Sequence, residues 1–134
     1  MISVNLFVPD SKKAFEYYKQ VFDARLVTSN FEQQLGYNNC LFTIGNDNFA
    51  LADENIEWGS KSAITLGQAP LCIQLYLDDI NGTIDKALEY GGQFEAPSTA
   101  KDRIIKMPNG MEFCNFKDPF NFVWTITKKS DINE

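Results

Sequence analysis

Residues 72–79 read CIQLYLDD, and residues 3–10 read SVNLFVPD. The offset between the copies is 69 positions, 72 minus 3 and 79 minus 10. In both, polar or aromatic residues (Ser3, Asn5, Phe7; Cys72, Gln74, Tyr76) alternate with aliphatic ones (Val4, Leu6, Val8; Ile73, Leu75, Leu77). Such alternation is the period-2 pattern of a strand with two unlike faces. One face is expected to be core and the other a site.

Working outward, each copy is followed by the signals of a helix. Asp10 and Ser11 offer a cap, and Ala14, Phe15, Tyr18 and Phe22 recur at helical spacing, which predicts a helix over 11–22. After the second copy, Asp78 and Asp79 precede Ile84, Ala87 and Leu88, and Gly91 and Gly92 end a helix over 80–90. In the first half, strands are expected in ARLVTSNF, over 37–44 and over 48–53, with Gly45, Asn46 and Asp47 as a turn. The second half offers a short strand over 93–96, a hairpin of 104–106 with 111–116 turning at Pro108, Asn109 and Gly110, and a last strand over 122–127. The chain therefore reads as two β-α-β-β-β modules, about 1–53 and 71–127, with a linker about 54–70 and a frayed tail at 128–134. Each module covers one sheet face with its own helix, and the sister module is the expected cover for the other.

At 134 residues the chain is expected to form one domain that buries roughly two-thirds of its unfolded surface. With 44% hydrophobic residues and no apolar run near the ~20 residues of a membrane span, it is expected to be soluble and off the membrane. The start MISVNLFVPD enters a strand pattern directly, so the expected compartment is the cytoplasm. Cys40, Cys72 and Cys114 are an odd number without close spacing, which fits reduced, structural thiols. The net charge of −6 disfavours nucleic acid as a partner and tolerates a cationic ligand. Histidine is absent, which removes Ser/His/Asp and Cys/His nucleophilic machinery and metal sites built on imidazole.

The pairing of this repeat with FEYYKQVFDARLV, IQLYLDDINGTIDKALEYGG and FKDPFNFVWTI resembles the glyoxalase/bleomycin-resistance/dioxygenase superfamily, the vicinal oxygen chelate proteins. The most telling local piece is Asp118-Pro119 leading into residues 122–126. The resemblance covers nearly the whole chain. It implies an α+β fold whose two modules form a curved, incompletely closed barrel-like sheet with the helices outside and a cavity on the inner face. Metal-dependent members place His, Gln or Glu ligands on four strands. Those positions match Ser3, either Ala50 or Ala52, Cys72 and Thr125. Alanine cannot ligate, and a serine, a threonine and one thiol make a poor set for a divalent ion. No metal and no other cofactor is therefore expected, and metal-dependent glyoxalase, dioxygenase or fosfomycin-transferase activity is not expected either. The resemblance points instead to the metal-free branch, whose bleomycin-resistance proteins sequester a cationic drug in a groove shared across a homodimer.

Strand parity puts Ser3, Asn5 and Phe7, with Cys72, Gln74 and Tyr76, on the faces turned from the helices. Amides, hydroxyls and rings together suit a small-molecule pocket, and they equally suit the wetter face of a sheet or a dimer seam. Glu112 stands where relatives often carry an arginine, and could attract a cation, act as a general base or simply be exposed. Trp58 could stack on a planar ligand or pack under the linker, while Trp124 shares parity with Phe122 and Ile126 and is expected in the core. The leading expectation is a binding protein that sequesters a cationic or aromatic compound such as an antibiotic. The second is a metal-independent lyase or isomerase using Glu112 or Cys114 with Gln74 or Asn5. The third is an interaction or sensory domain whose cavity is filled by Phe7, Phe42, Tyr76 and Phe113.

Overall fold

The computed structural model describes residues 1–32, 37–95 and 102–129. The chain is α+β and divides into two compact units, Met1–Gln68 and Ala69–Glu134. Each unit contains one copy of the repeat.

In the first unit, β1 (Val4–Val8) runs into α1 (Ser11–Phe22), followed by β2 (Arg25–Asn30), β3 (Asn39–Ile44) and β4 (Asp47–Asp53). The sheet order is β1-β4-β3-β2, with β1 parallel to β4 and the other pairs antiparallel. Asp10 caps α1 by accepting from the Lys13 amide at 3.2 Å, which satisfies one of the orphan donors of the first turn. The buried stripe of α1, including Ala14, Phe15, Tyr18 and Val21, covers the face that carries Leu6, Cys40, Phe42, Phe49 and Leu51. Asp53 ties the far end together: its carboxylate accepts from the Ser11 amide and hydroxyl, both at 2.8 Å, and from the Asn38 amide at 3.2 Å. The strand expected from residue 37 begins at Asn39; the Asn38 amide turns to the Asp53 carboxylate while its carbonyl accepts from the Asp53 amide at 2.9 Å.

The second unit repeats the order: β5 (Cys72–Leu77), α3 (Ile80–Glu89), β6 (Gln93–Glu95), β7 (Ile105–Lys106), β8 (Glu112–Lys117) and β9 (Val123–Lys128). Its sheet runs β5-β9-β8-β6, with β7 also on β8 and β5 parallel to β9. Asp79 caps α3 as Asp10 caps α1, accepting from the Gly82 amide at 2.9 Å. Strand β2 of the first unit corresponds to β6 and β7 together, since these pair with successive stretches of β8. Trp124 is buried in the core, as its parity predicts, beside Phe116 and Ile126. Among the described residues neither sheet pairs its two edges, so neither closes on itself. Residue 96 of the expected short strand, and residues 130–134 of the tail, lie outside the described residues.

The stretch 54–70, expected to be a connection, folds mainly with the first unit. A 3-10 turn (Ile56–Trp58) is closed by the Asn55–Ser60 bridge, and a short helix α2 (Ala63–Leu66) packs near β1. Ser62 caps α2 through the Thr65 amide at 3.2 Å. The Glu54 carboxylate accepts from the Thr65 hydroxyl at 2.6 Å and from the Ser62 hydroxyl and amide at 3.2 and 3.3 Å. The Thr65 hydroxyl in particular holds Glu54 below the ordinary carboxyl pKa. Side-chain hydrogen bonds thus order a segment whose apolar residues show no period.

Candidate functional site

On the sheet face turned from α3, which we call the outer face, β-pairing builds the rows Gln74–Thr125–Asn115–Glu95 and Tyr76–Thr127–Phe113–Ile105. Side chains at alternate strand positions stand on the same face, so neighbours in a row touch. Gln74 Nε2 donates to Thr127 Oγ1 at 3.0 Å, and the Thr125 hydroxyl donates to Asn115 Oδ1 at 2.7 Å. Cys72 Sγ lies 3.0 Å from Thr125 Oγ1. Gln74, Phe113, Thr125 and Thr127 line a hollow of about 310 Å³, together with Met107, Asn109 and Met111 from the β7–β8 turn. That turn is set by the Met107 amide on the Met111 carbonyl at 2.8 Å and the Met111 amide on Asn109 Oδ1 at 3.0 Å.

The structure thus brings Cys72 and Gln74 together with Thr125, Thr127, Asn115 and Phe113. Tyr76 stands in the adjoining row, partly exposed. In the first unit, Asn5 and Phe7 lie on the equivalent outer face beside Ala50 and Ala52, while the exposed Ser3 precedes β1. Trp58 is 71% exposed and meets Tyr37 edge-on at 5.9 Å, so it does not pack under the linker. Phe42 is not on the outer face: it is buried on the α1 side, and its ring stacks on Tyr18. The expectation that Phe42 helps to fill the cavity on the face turned from the helices is corrected by that parity.

Glu112 and Cys114 share a parity on β8 opposite to that of Phe113 and Asn115. Cys114 is buried on the side of α3. Glu112 lines a second hollow of about 370 Å³ with Asn81, Arg103 and Lys106, and its carboxylate is 3.9 Å from Lys106 Nζ. One sheet therefore separates both from Gln74, the polar partner considered for proton transfer. Sequence reasoning missed Thr127, Phe113 as a wall of this hollow, and the two turn methionines. The alternation of the last strand could have found Thr127. The methionines have no local signal, because only the hairpin fold carries them over the sheet.

Burial raises both Cys40 and Cys114 to about 11 from the ordinary 9.0, with the Arg103 charge opposing the rise at Cys114. Cys72, by contrast, is exposed. Ellman's reagent at pH 8 is expected to titrate one thiol in the native protein and three after unfolding. Because the two native values are raised, their contribution to stability is full below pH 9.0 and is lost as pH rises towards 11. Unfolding midpoints measured from pH 8 to 11 are expected to fall, and the fall is expected to shrink in Cys40→Ala.

The parallel ladders also settle the register of the ligand-equivalent positions. Gln74 faces Thr125 as Asn5 faces Ala50, so Ala50 rather than Ala52 is the counterpart of Thr125. A sequence profile of the Glyoxalase/Bleomycin resistance protein/Dioxygenase superfamily matches residues 1–126. The chain belongs to this superfamily. A search of curated proteins finds no match. Among solved structures, the fosfomycin resistance protein FosX from Mesorhizobium loti is 18% identical, with 95% of this chain and 89% of that chain covered and a TM-score of 0.66. A glyoxalase-related enzyme from Fulvimarina pelagi is 15% identical over 96% and 87% of the two chains, with a TM-score of 0.70. TioX from Micromonospora sp. ML1 is 16% identical over 96% and 97%, with a TM-score of 0.65. At these identities the likeness is one of fold.

The metal that many superfamily members carry does not suit the residues here. Ala50 offers no donor atom. Cys72, Thr125 and Asn115 are joined to one another by hydrogen bonds that a divalent ion would have to break. Among the described residues no three Cys, Asp or Glu side chains gather into a ligand set. No reaction step through a metal is derived for this superfamily member.

Proposed function

We propose that this protein binds a small molecule on the outer face of its second module and acts by sequestration. The observation that carries this reading is the hollow of about 310 Å³, in which Gln74, Thr125 and Thr127 stand among Phe113, Met107 and Met111. Apolar walls supply affinity and a few fixed polar groups supply orientation, which is the general make-up of a small-molecule site. Superfamily membership supports it, as does a fold shared with a fosfomycin resistance protein and a glyoxalase-related enzyme. The working form is a homodimer, expected at twice the 15.2 kDa chain mass by light scattering. The free cysteines suit the reducing cytoplasm.

The test is calorimetric titration with bleomycin and a panel of planar aromatic compounds, charged and uncharged. At least one is expected to bind with Kd below ~1 mM. Failure of every compound to reach that affinity overturns the reading. Binding is also expected to raise the thermal midpoint, since a ligand that binds only the native state stabilises it.

A further inference from the structure

We propose that the ligand is an uncharged planar molecule with an amide or lactam edge, held at that edge by the Gln74 carboxamide. The inference rests on the binding reading above and adds the class of ligand. Every described residue lining the hollow is uncharged. Of the charged groups on β7 and β8, Lys106 and Glu112 line the other hollow, and Lys117 is 3.7 Å from the Glu95 carboxylate. A cation moved onto Phe113 and two methionines would lose hydration without gaining a carboxylate from these residues, a large penalty for a charge. Glu95, the carboxylate at the far end of the Gln74 row, lies 3.7 Å from Lys117 Nζ and does not line the hollow.

Gln74 supplies the recognition. One Nε2 proton goes to Thr127 Oγ1, which leaves Oε1 as an acceptor and the second Nε2 proton as a donor. A group with one donor and one acceptor complements a molecule that presents N–H beside C=O, as amides and lactams do. Thr127 is 1% exposed, so the hydroxyl that orients Gln74 is itself held in a closely surrounded position on β9. A polar group held in place before the ligand arrives gives more discrimination than a mobile one. Phe113 supplies a ring face, and the thioethers of Met107 and Met111 favour contact with aromatic edges.

The chain has three methionines, Met1, Met107 and Met111, of which two line the hollow. Methionine ε-methyl labelling with carbon-13 therefore gives three signals that report on the site directly. Two probes of one ring shape separate the ligand classes: isoquinolin-1(2H)-one, an uncharged lactam, and N-methylisoquinolinium, a cation without the edge. The lactam is expected to shift the Met107 and Met111 methyls and leave Met1 in place, with the cation at least about tenfold weaker. Gln74→Leu is expected to weaken the lactam about tenfold through loss of the paired hydrogen bonds. Gln74→Glu, which keeps the size and adds a carboxylate, is expected to reverse the preference; its unliganded methyl spectrum also checks the fold. If the cation shifts the same methyls as readily, the inference is overturned and the binding reading stands. The same holds if both probes are silent while another panel compound moves them. Silence of Met107 and Met111 to every compound overturns both.

Discussion

Asp118→Ala is expected to lower the unfolding free energy by about 4 kcal/mol, from three donors that each lose about 1–3 kcal/mol when left unpaired. Asp118 is 3% exposed. Its Oδ1 accepts from the backbone amides of Phe120 at 2.9 Å and Phe122 at 3.0 Å, and its Oδ2 from the Trp124 indole at 2.8 Å. One carboxylate thereby closes the turn before β9 and fixes the largest side chain of the second core. Alanine removes this acceptor from all three donors. Asp118→Asn keeps an acceptor for the two amides but sets an N–H₂ against the indole N–H, and is expected to lose about half as much. Urea unfolding decides between them: the midpoint is expected to fall in the order wild type, Asn, Ala with an unchanged slope. An alanine variant within about 1 kcal/mol of wild type would show that the turn holds without its carboxylate.

Phe42→Ala is expected to cost about 3–5 kcal/mol, the range for removing a buried phenylalanine and leaving a cavity. Phe42 is 1% exposed. Its ring stacks on Phe49 at 5.3 Å and on Tyr18 at 5.9 Å, and meets Phe15 edge-on at 5.8 Å. It therefore joins α1 to both central strands of the first sheet. Leucine retains much of the volume and is expected to lose about 1–2 kcal/mol. Phe42 faces α1, so the lactam-induced shifts of Met107 and Met111 are expected to persist in Phe42→Leu. Loss of those shifts in a folded Phe42→Leu protein would place the ring in the binding face after all.

Much of the fold was legible because its signals are short-ranged. Asp10 and Asp79 cap helices through amides three residues on, and Asp118 closes a turn through residues within six. The two faces of β1 and β5 were readable because aliphatic residues alternate with polar ones. On β8 the same rule gives no answer: Glu112, Cys114 and Phe116 alternate with Phe113, Asn115 and Lys117, and both sets mix apolar with polar. Only pairing with β9 shows that Cys114 and Phe116 face α3 while Phe113 and Asn115 face outward. The segment 54–70 looks like a connection in sequence because it has no apolar period, whereas Glu54, Ser62 and Thr65 order it through hydrogen bonds.

The sequence by itself determined the repeat, the capped helices, the lack of histidine and the outward parity of Asn5, Phe7, Cys72, Gln74 and Tyr76. The tertiary structure alone decided which of these meet chemical partners. Gln74 reaches Thr127, and Cys72 reaches Thr125, each across 53 positions of chain. Such neighbours are set by the register of a parallel ladder, and a shift of one residue would turn every side chain to the other face. That register follows from burying Trp124 and Ile126 with Ile73 and Leu75, a long-range packing condition that no local stretch of sequence displays.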